Sequence, residues 1–384
     1  MIYLDHAATS FPKPGSVTLE MARCIREYGG NPGRGSHALS MAAAEKIYEC
    51  RGELAHFFGA KSPEEVIFTQ NATMAINLVI KGFLRQGDHV LISDMEHNAV
   101  YRPIQKLSQM GLITYDCFAT APQQGGLSPD ALCAEIEGLI KPNTRMVICA
   151  HASNICSAVL PLASIGALCR KRGILFAVDA AQSAGHIPIN VESMKIDALC
   201  FPGHKGLLGP QGSGGLILRA GLLGETLIEG GSGMHSLEWQ MPMESPERYE
   251  AGTLSTPCIA GLLEGVRTVK RFGLSRISRH QRRLWQMTAE ALSTIPNVTV
   301  YAPLCAGSVL LFNVNNIGSE TVGQALDRRG ICVRAGYHCS ALGHATLQTP
   351  AGGAVRVSFG LSNEASQISV LADAVAEIAR GGIR

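Results

Sequence analysis

The sequence predicts an α/β fold: a large unit on a mostly parallel sheet, followed by a smaller α+β unit. Two observations predict it. Short apolar runs at residues 66–69, 90–93, 146–150, 175–179, 198–201 and 215–218 are bounded by Gly, Asn, Asp or Pro, and most are separated by enough chain for a helical crossover. The chain has 384 residues, 46% hydrophobic and 17% charged, which is enough to bury a large core.

In chain order, a short extended segment comes first. Val17, Met21, Cys24, Ile25 and Tyr28 then recur at helical spacing, and a second helical pattern covers residues 41–58. The strand and helix alternation fills the region up to about Glu250. Residues 251–257 are small and turn-forming and read as a boundary, which divides the chain into a large unit, 15–254, and a small unit, 255–384, joined by the N-terminal segment 1–14. Leu262, Val266, Val269 and Phe272 mark one face of a long helix beyond that boundary. Runs at 298–301, 308–314, 331–334 and 354–359 suit strands of the small unit, with helices at 321–329 and 364–380.

Composition narrows the function classes. A net charge of +2 and no run of five or six like charges leave no basic field for nucleic acid or an anionic membrane. Met1 leads into Ile2-Tyr3-Leu4-Asp5 without signal-peptide character, and no apolar run is long enough to span a bilayer, so a cytoplasmic protein is expected. The twelve cysteines are scattered without a Cys-x-x-Cys pair, and the twelve histidines show no zinc-ligand spacing, so no metal is expected.

The chemistry concentrates between Phe176 and Pro210. Asp179 ends an apolar run, and Lys205 sits in a Gly-His-Lys-Gly turn. A lysine amine forms a Schiff base with the aldehyde of pyridoxal phosphate, and a carboxylate against the pyridine nitrogen keeps that nitrogen protonated as an electron sink. Other candidates also follow strands, where ligands gather in open parallel sheets. Residues 69–73, including Ala72 and Thr73, precede a helix whose free N–H groups suit a phosphate, although Thr is also a common helix cap. His97 is placed to stack on a planar ring or to serve the loop structurally. Asn154 and Gln182 suit hydrogen bonds to ring substituents or to loop backbone. Cys339 lies between a strand ending near Arg334 and a segment, 340–354, whose composition predicts a flexible loop. His338 and Arg334 nearby favour its thiolate; the alternative is an ordinary exposed thiol.

Taken in order, Leu4-Asp5-His6-Ala7-Ala8-Thr9, Asn31 to His37, Glu96-His97-Asn98, Ser153-Asn154, Val178 to Gln182, Gly203-His204-Lys205, Tyr249 to Thr253, Arg334 to Cys339 and Arg356-Val357-Ser358 resemble the class V aminotransferases of fold type I, in the cysteine desulfurase and selenocysteine lyase branch. The resemblance runs from Tyr3 to about Asn363. It implies pyridoxal 5'-phosphate on Lys205, with Asp179 on the pyridine nitrogen, His97 stacked on the ring, Gln182 on the phenolic oxygen and Asn154 beside it. It implies phosphate contacts from Ala72, Thr73 and His204 and, across a homodimer interface, Thr253. Arg356, with Asn154, Arg34 and His37, would bind an amino-acid substrate, since a guanidinium suits a carboxylate. Cys339 would take sulfur from L-cysteine as a persulfide, leave alanine, and pass the sulfur to an acceptor protein. Pro202 and Ala72 depart from the hydroxyl residues that many relatives carry there. Selenocysteine lyase, another class V reaction, and a non-catalytic partner that kept the fold are the alternatives.

Overall fold

The computed structural model describes residues 1–33 and 35–382. Strand β1 (Ile2–Tyr3) is followed by α1 (Gly15–Arg23), a π-helical turn (Cys24–Tyr28) and α2 (Ala38–Phe58). The large unit continues as β2 (Val66–Thr69), α3 (Ala72–Phe83), β3 (Asp88–Ser93), α4 (Asn98–Gln109), β4 (Ile113–Phe118), α5 (Pro129–Leu139) and β5 (Thr144–Ala150). It closes with α6 (Leu162–Arg172), β6 (Leu175–Asp179), β7 (Ala198–Pro202) and β8 (Gly214–Leu218).

Seven strands form one sheet in the order β2-β8-β7-β6-β5-β3-β4. The five from β4 to β7 are parallel, whereas β8 runs antiparallel to both β7 and β2. Strands β2, β7 and β8 are wholly buried, as are β6 beyond Leu175 and β5 from Met146 to Ala150, which is why these stretches read as continuous apolar runs. Strand β4 was not visible in the sequence. It is an edge strand whose interior residues, Thr114 to Cys117, are partly or fully exposed.

Beyond residue 255 come α7 (Thr256–Phe272), α8 (Leu274–Ser293), β9 (Val298–Tyr301), β10 (Val309–Val314) and α9 (Ser319–Arg328). The chain ends with β11 (Ile331–Cys332), β12 (Arg334–Gly336), α10 (Ala341–Thr346), β13 (Ala354–Ser358) and α11 (Ala365–Ala379). Four of these strands make an antiparallel sheet, β12-β13-β10-β9, and α8, α9 and α11 enclose a separate core with it. Helix α7 instead gives Ile259, Leu262, Leu263 and Val266 to the core of the large sheet. The division between cores therefore falls near Gly273, and we propose that boundary in place of 254/255. The segment expected to be a loop, 340–354, contains α10, and its flanking residues His338 and Ser340 are buried.

The N-terminal segment links the two units. Ser358 on β13 donates its N–H to Leu4 O at 2.8 Å, and its hydroxyl accepts from Ala7 N at 2.8 Å. Farther on, Ser10 N donates to His204 O at 3.1 Å, which joins β13 to the Lys205 turn.

Candidate active site

Five connections leave the same end of the large sheet, after β2, β3, β5, β6 and β7, and their first residues line one cleft of about 530 Å³. Asp179 is the last residue of β6, and Lys205 follows β7. The turn carrying the lysine needs its glycines. A Cβ at Gly203 would stand 2.1 Å from Ser213 Oγ, and one at Gly206 would stand 2.3 Å from Ala184 O. Lys205 Nζ has no hydrogen-bond partner among the described residues, and burial lowers its pKa to about 8, with Asp179 opposing and Arg356 adding to the fall. Asp179 is buried, which raises its pKa, while a hydrogen bond from Ala181 N (2.8 Å to Oδ1) and the Lys205 charge act against the rise. A free amine and a carboxylate thus share the cleft.

The other walls are built in the same way. Asn71 caps α3 by accepting from Met74 N at 2.9 Å, so Thr73 is not the cap; Thr73 lines the cleft, and its hydroxyl has no partner among the described residues. The N–H groups of Ala72 and Thr73, in the first turn of α3, are likewise without a partner among those residues. His97 caps α4 through Nδ1, which accepts from Ala99 N at 3.0 Å and so leaves the proton on Nε2. Burial, then Lys205 and Arg356, push its pKa down to about 4, so the ring is neutral. His204 is also neutral, near 4, from burial and Lys205, and its Nδ1 lies 3.1 Å from Thr9 Oγ1. Gln182 donates Nε2 to Ala7 O at 3.0 Å. Asn154 donates Nδ2 to His338 O at 2.9 Å, which leaves its buried Oδ1 without a partner.

The family model for Aminotransferase class-V matches residues 2–371. The chain belongs to that family. A relative from Methanothermobacter thermautotrophicus named "Probable cysteine desulfurase" is 34% identical, covering 99% of this chain and 95% of its own. A "Cysteine desulfurase" from Klebsiella pneumoniae is 33% identical over 97% of this chain and 91% of its own. The apo structure of a cysteine desulfurase from Thermococcus onnurineus superposes with a TM-score of 0.90 at 31% identity, covering 99% of this chain and 95% of that one.

In this member of the class-V aminotransferase family the structure also separates residues that the sequence grouped. Arg356 on β13 is buried and does not line the cleft; it reaches the cleft's wall through Asn154, whose carbonyl accepts from Nη1 at 3.1 Å. Its Nη2 donates to Asp5 Oδ1 at 2.9 Å, and its buried Nε–H has no partner. Cys339 lines an adjoining groove that shares Thr73, His97 and Ala99 with the cleft. It is exposed, in left-handed backbone (φ 54°) directly after His338 (φ 51°), and its carbonyl accepts from Asn98 N at 2.7 Å. His338 does not supply a positive charge to the thiol. Burial and then Arg356 push its pKa down to about 3, and its Nδ1 faces His344 Nε2 at 3.1 Å. Within one chain, His37 caps α2 away from the cleft, and Thr253 lies beside Asn31 in another depression. Arg34 lies outside the described residues.

Two carboxylates escaped the sequence reading although both stand in quoted motifs. Glu96 is fully buried; its Oε1 accepts from Ser93 Oγ and from Ala150 N at 2.9 Å, while Oε2 has no partner. Burial raises its pKa to about 8, so it is protonated at neutral pH and sits below the cleft as an uncharged acid. Glu250 pairs in a buried fork with Arg51, and Phe68 N donates to the same carboxylate. That pair ties the segment leading to Thr253 onto α2 and β2. A motif shows that a carboxylate is present, but not whether it faces ligand or core.

Proposed function

We propose that the chain is a cysteine desulfurase, which converts L-cysteine to L-alanine and leaves the sulfur as a persulfide on Cys339, with pyridoxal 5'-phosphate held on Lys205. The observation that carries this reading is the meeting of four groups in and around one cleft: the Lys205 amine, the Asp179 carboxylate, the Arg356 guanidinium and the exposed Cys339.

The residues present fit the cofactor. Unpartnered N–H groups at Ala72 and Thr73 and the Thr73 hydroxyl suit its phosphate, and the buried Oδ1 of Asn154 is an acceptor without a donor. Asp179, with one hydrogen bond and a spare oxygen, would hold the pyridine nitrogen. Neutral His97 suits a ring face because it places no charge there. Bound in this way, pyridoxal phosphate supplies an electron sink for negative charge formed at the substrate Cα.

The chain's own groups do the rest. Arg356, held here by Asn154 O and the Asp5 carboxylate behind the cleft wall, would exchange the Asp5 carboxylate for that of the substrate and so fix which bond faces Lys205. Once the substrate's own amine has displaced it from the cofactor, the Lys205 amine, its pKa lowered by burial to about 8, takes the Cα proton and returns it. The Cys339 thiolate attacks the substrate sulfur; the Cβ–S bond breaks with its electrons left on carbon, and the sulfur stays on Cys339. Thr253, placed apart from the cleft in one chain, would reach the phosphate of a second copy in a homodimer, where His37 and Arg34 would join substrate binding. Twelve unpaired cysteines support a reducing compartment, the cytoplasm.

The experiment is alanine release from L-cysteine by the protein reconstituted with pyridoxal phosphate, beside a Lys205→Ala variant. The reading requires release by the first and none above background by the second. Equal release, or no colour after reconstitution of the unaltered protein, would remove it.

A further inference from the structure

The groove that holds Cys339 lies between α3 and α4, has a volume of about 730 Å³, and is lined by Lys81 on α3 and by Arg102 and Lys106 on α4. No Asp or Glu lines it. All three cations are exposed, and none makes an ion pair or side-chain hydrogen bond with another described residue. Lys81 and Lys106 stand in the last turns of their helices, where a cation is favourable. Arg102 has no such reason. It lies mid-helix, one turn before Lys106, so the two repel each other along one face. Arg102 lines the groove together with His97, which also lines the cleft.

Three unpaired cations beside an exposed nucleophile form an anion-attracting surface with no use in the chemistry at Lys205. We propose that this groove docks an acidic segment of the protein that accepts sulfur from Cys339, the carboxylates flanking the acceptor cysteine engaging Lys81, Arg102 and Lys106. This rests on the reading that Cys339 carries a persulfide. The cations lie on two helices and, along α4, about one turn apart, roughly 6 Å. That spread suits several carboxylates along a chain better than the single carboxylate of a small thiol. The transfer is balanced: the acceptor thiolate attacks the outer sulfur of the persulfide, the S–S bond breaks, and Cys339 leaves as a thiolate. The acceptor becomes the persulfide, and the proton lost by its thiol goes to solvent or to Cys339. No external oxidant or reductant is needed.

The test uses the holoenzyme loaded by L-cysteine, with the persulfide on Cys339 first measured by mass. Its discharge is then timed with three probes: a short synthetic peptide whose one cysteine is flanked by glutamates, the same peptide with lysines, and dithiothreitol. The glutamate peptide should discharge the enzyme roughly tenfold faster than the lysine peptide at low salt, and the gap should narrow as ionic strength rises. In Arg102→Glu/Lys106→Glu the preference should reverse, with discharge by dithiothreitol unchanged; the single variant Arg102→Gln should halve the preference or more. Equal rates for the two peptides on the unaltered enzyme would overturn the proposal. So would a charge-reversed variant in which dithiothreitol slows in parallel, because the groove would then act on Cys339 itself. A persulfide that forms but shows no peptide preference overturns this proposal alone, whereas its absence from Cys339 overturns the functional reading as well.

Discussion

Replacing Arg356 by lysine keeps a cation at the centre of the site and removes the fork. The guanidinium now serves Asn154 O through Nη1 and Asp5 through Nη2, with Nε–H left free in a buried position. A single ammonium at that depth cannot hold Asn154 O and a substrate carboxylate together. Losing one charge-assisted hydrogen bond costs about 1.5–3 kcal/mol, a fall of roughly 10- to 150-fold in kcat/KM. Alanine release should be measured against L-cysteine and against L-cysteine methyl ester, which lacks the carboxylate charge. The unaltered enzyme should prefer the acid strongly. Arg356→Lys should lose most of that preference, with its activity on the ester changed little. General damage to the fold would lower both substrates alike, and a variant that discriminates acid from ester as before would refute the assignment.

Three further outcomes are expected. Asp179→Asn can keep the hydrogen bond from Ala181 N, so the cofactor should still bind and colour the protein, while turnover falls by about 100-fold or more; normal turnover with full colour would mean that Asp179 is misassigned. Glu96 holds its proton in the fold up to about pH 8 but loses it near the ordinary carboxylate value when unfolded. Its contribution is therefore fully present below about pH 4.5 and is lost as pH rises toward 8. Glu96→Gln, a neutral mimic, should gain on the order of 3 kcal/mol relative to the unaltered protein between pH 5 and pH 8, and melting curves that stay parallel over that range would contradict it. Arg51→Met leaves the Glu250 carboxylate buried and unpaired, which costs about 3–5 kcal/mol. Adding Glu250→Gln should recover part of the loss in thermal melting, and a double variant no more stable than the single one would show that the pair is not what holds this segment.

Asp179 and Lys205 were legible because each ends a buried strand or follows one, so an apolar run closed by Asp, or a Gly-flanked Lys beyond the next run, marks the ligand-bearing edge of the sheet. The parallel strands were legible for the same reason. What failed to show was whatever depends on partners far along the chain. Strand β4 carries polar residues because it is at an edge, and the antiparallel direction of β8 is set by its neighbours. The 340–354 segment looked like a loop from its Gly, Pro and Ser content, yet Ser340 and His344 are buried and His338 O is held by Asn154, so tertiary contacts order a short helix there. The charge state of His338 was misjudged because nearness in sequence gave no measure of burial. Glu96 and Glu250 stood in plain view as motif residues, but only packing shows that one is an uncharged acid beneath the site and the other a structural anchor.

The central claim is that sulfur leaves L-cysteine for one thiol among twelve. The most direct measurement is mass spectrometry of peptides from holoenzyme trapped by alkylation after a brief exposure to L-cysteine. One additional sulfur should be found on the peptide containing Cys339 and on none of the other eleven cysteines, and a Cys339→Ser variant should carry none and release alanine far more slowly. Added sulfur on another cysteine, or undiminished alanine release from L-cysteine by the serine variant, would contradict the account.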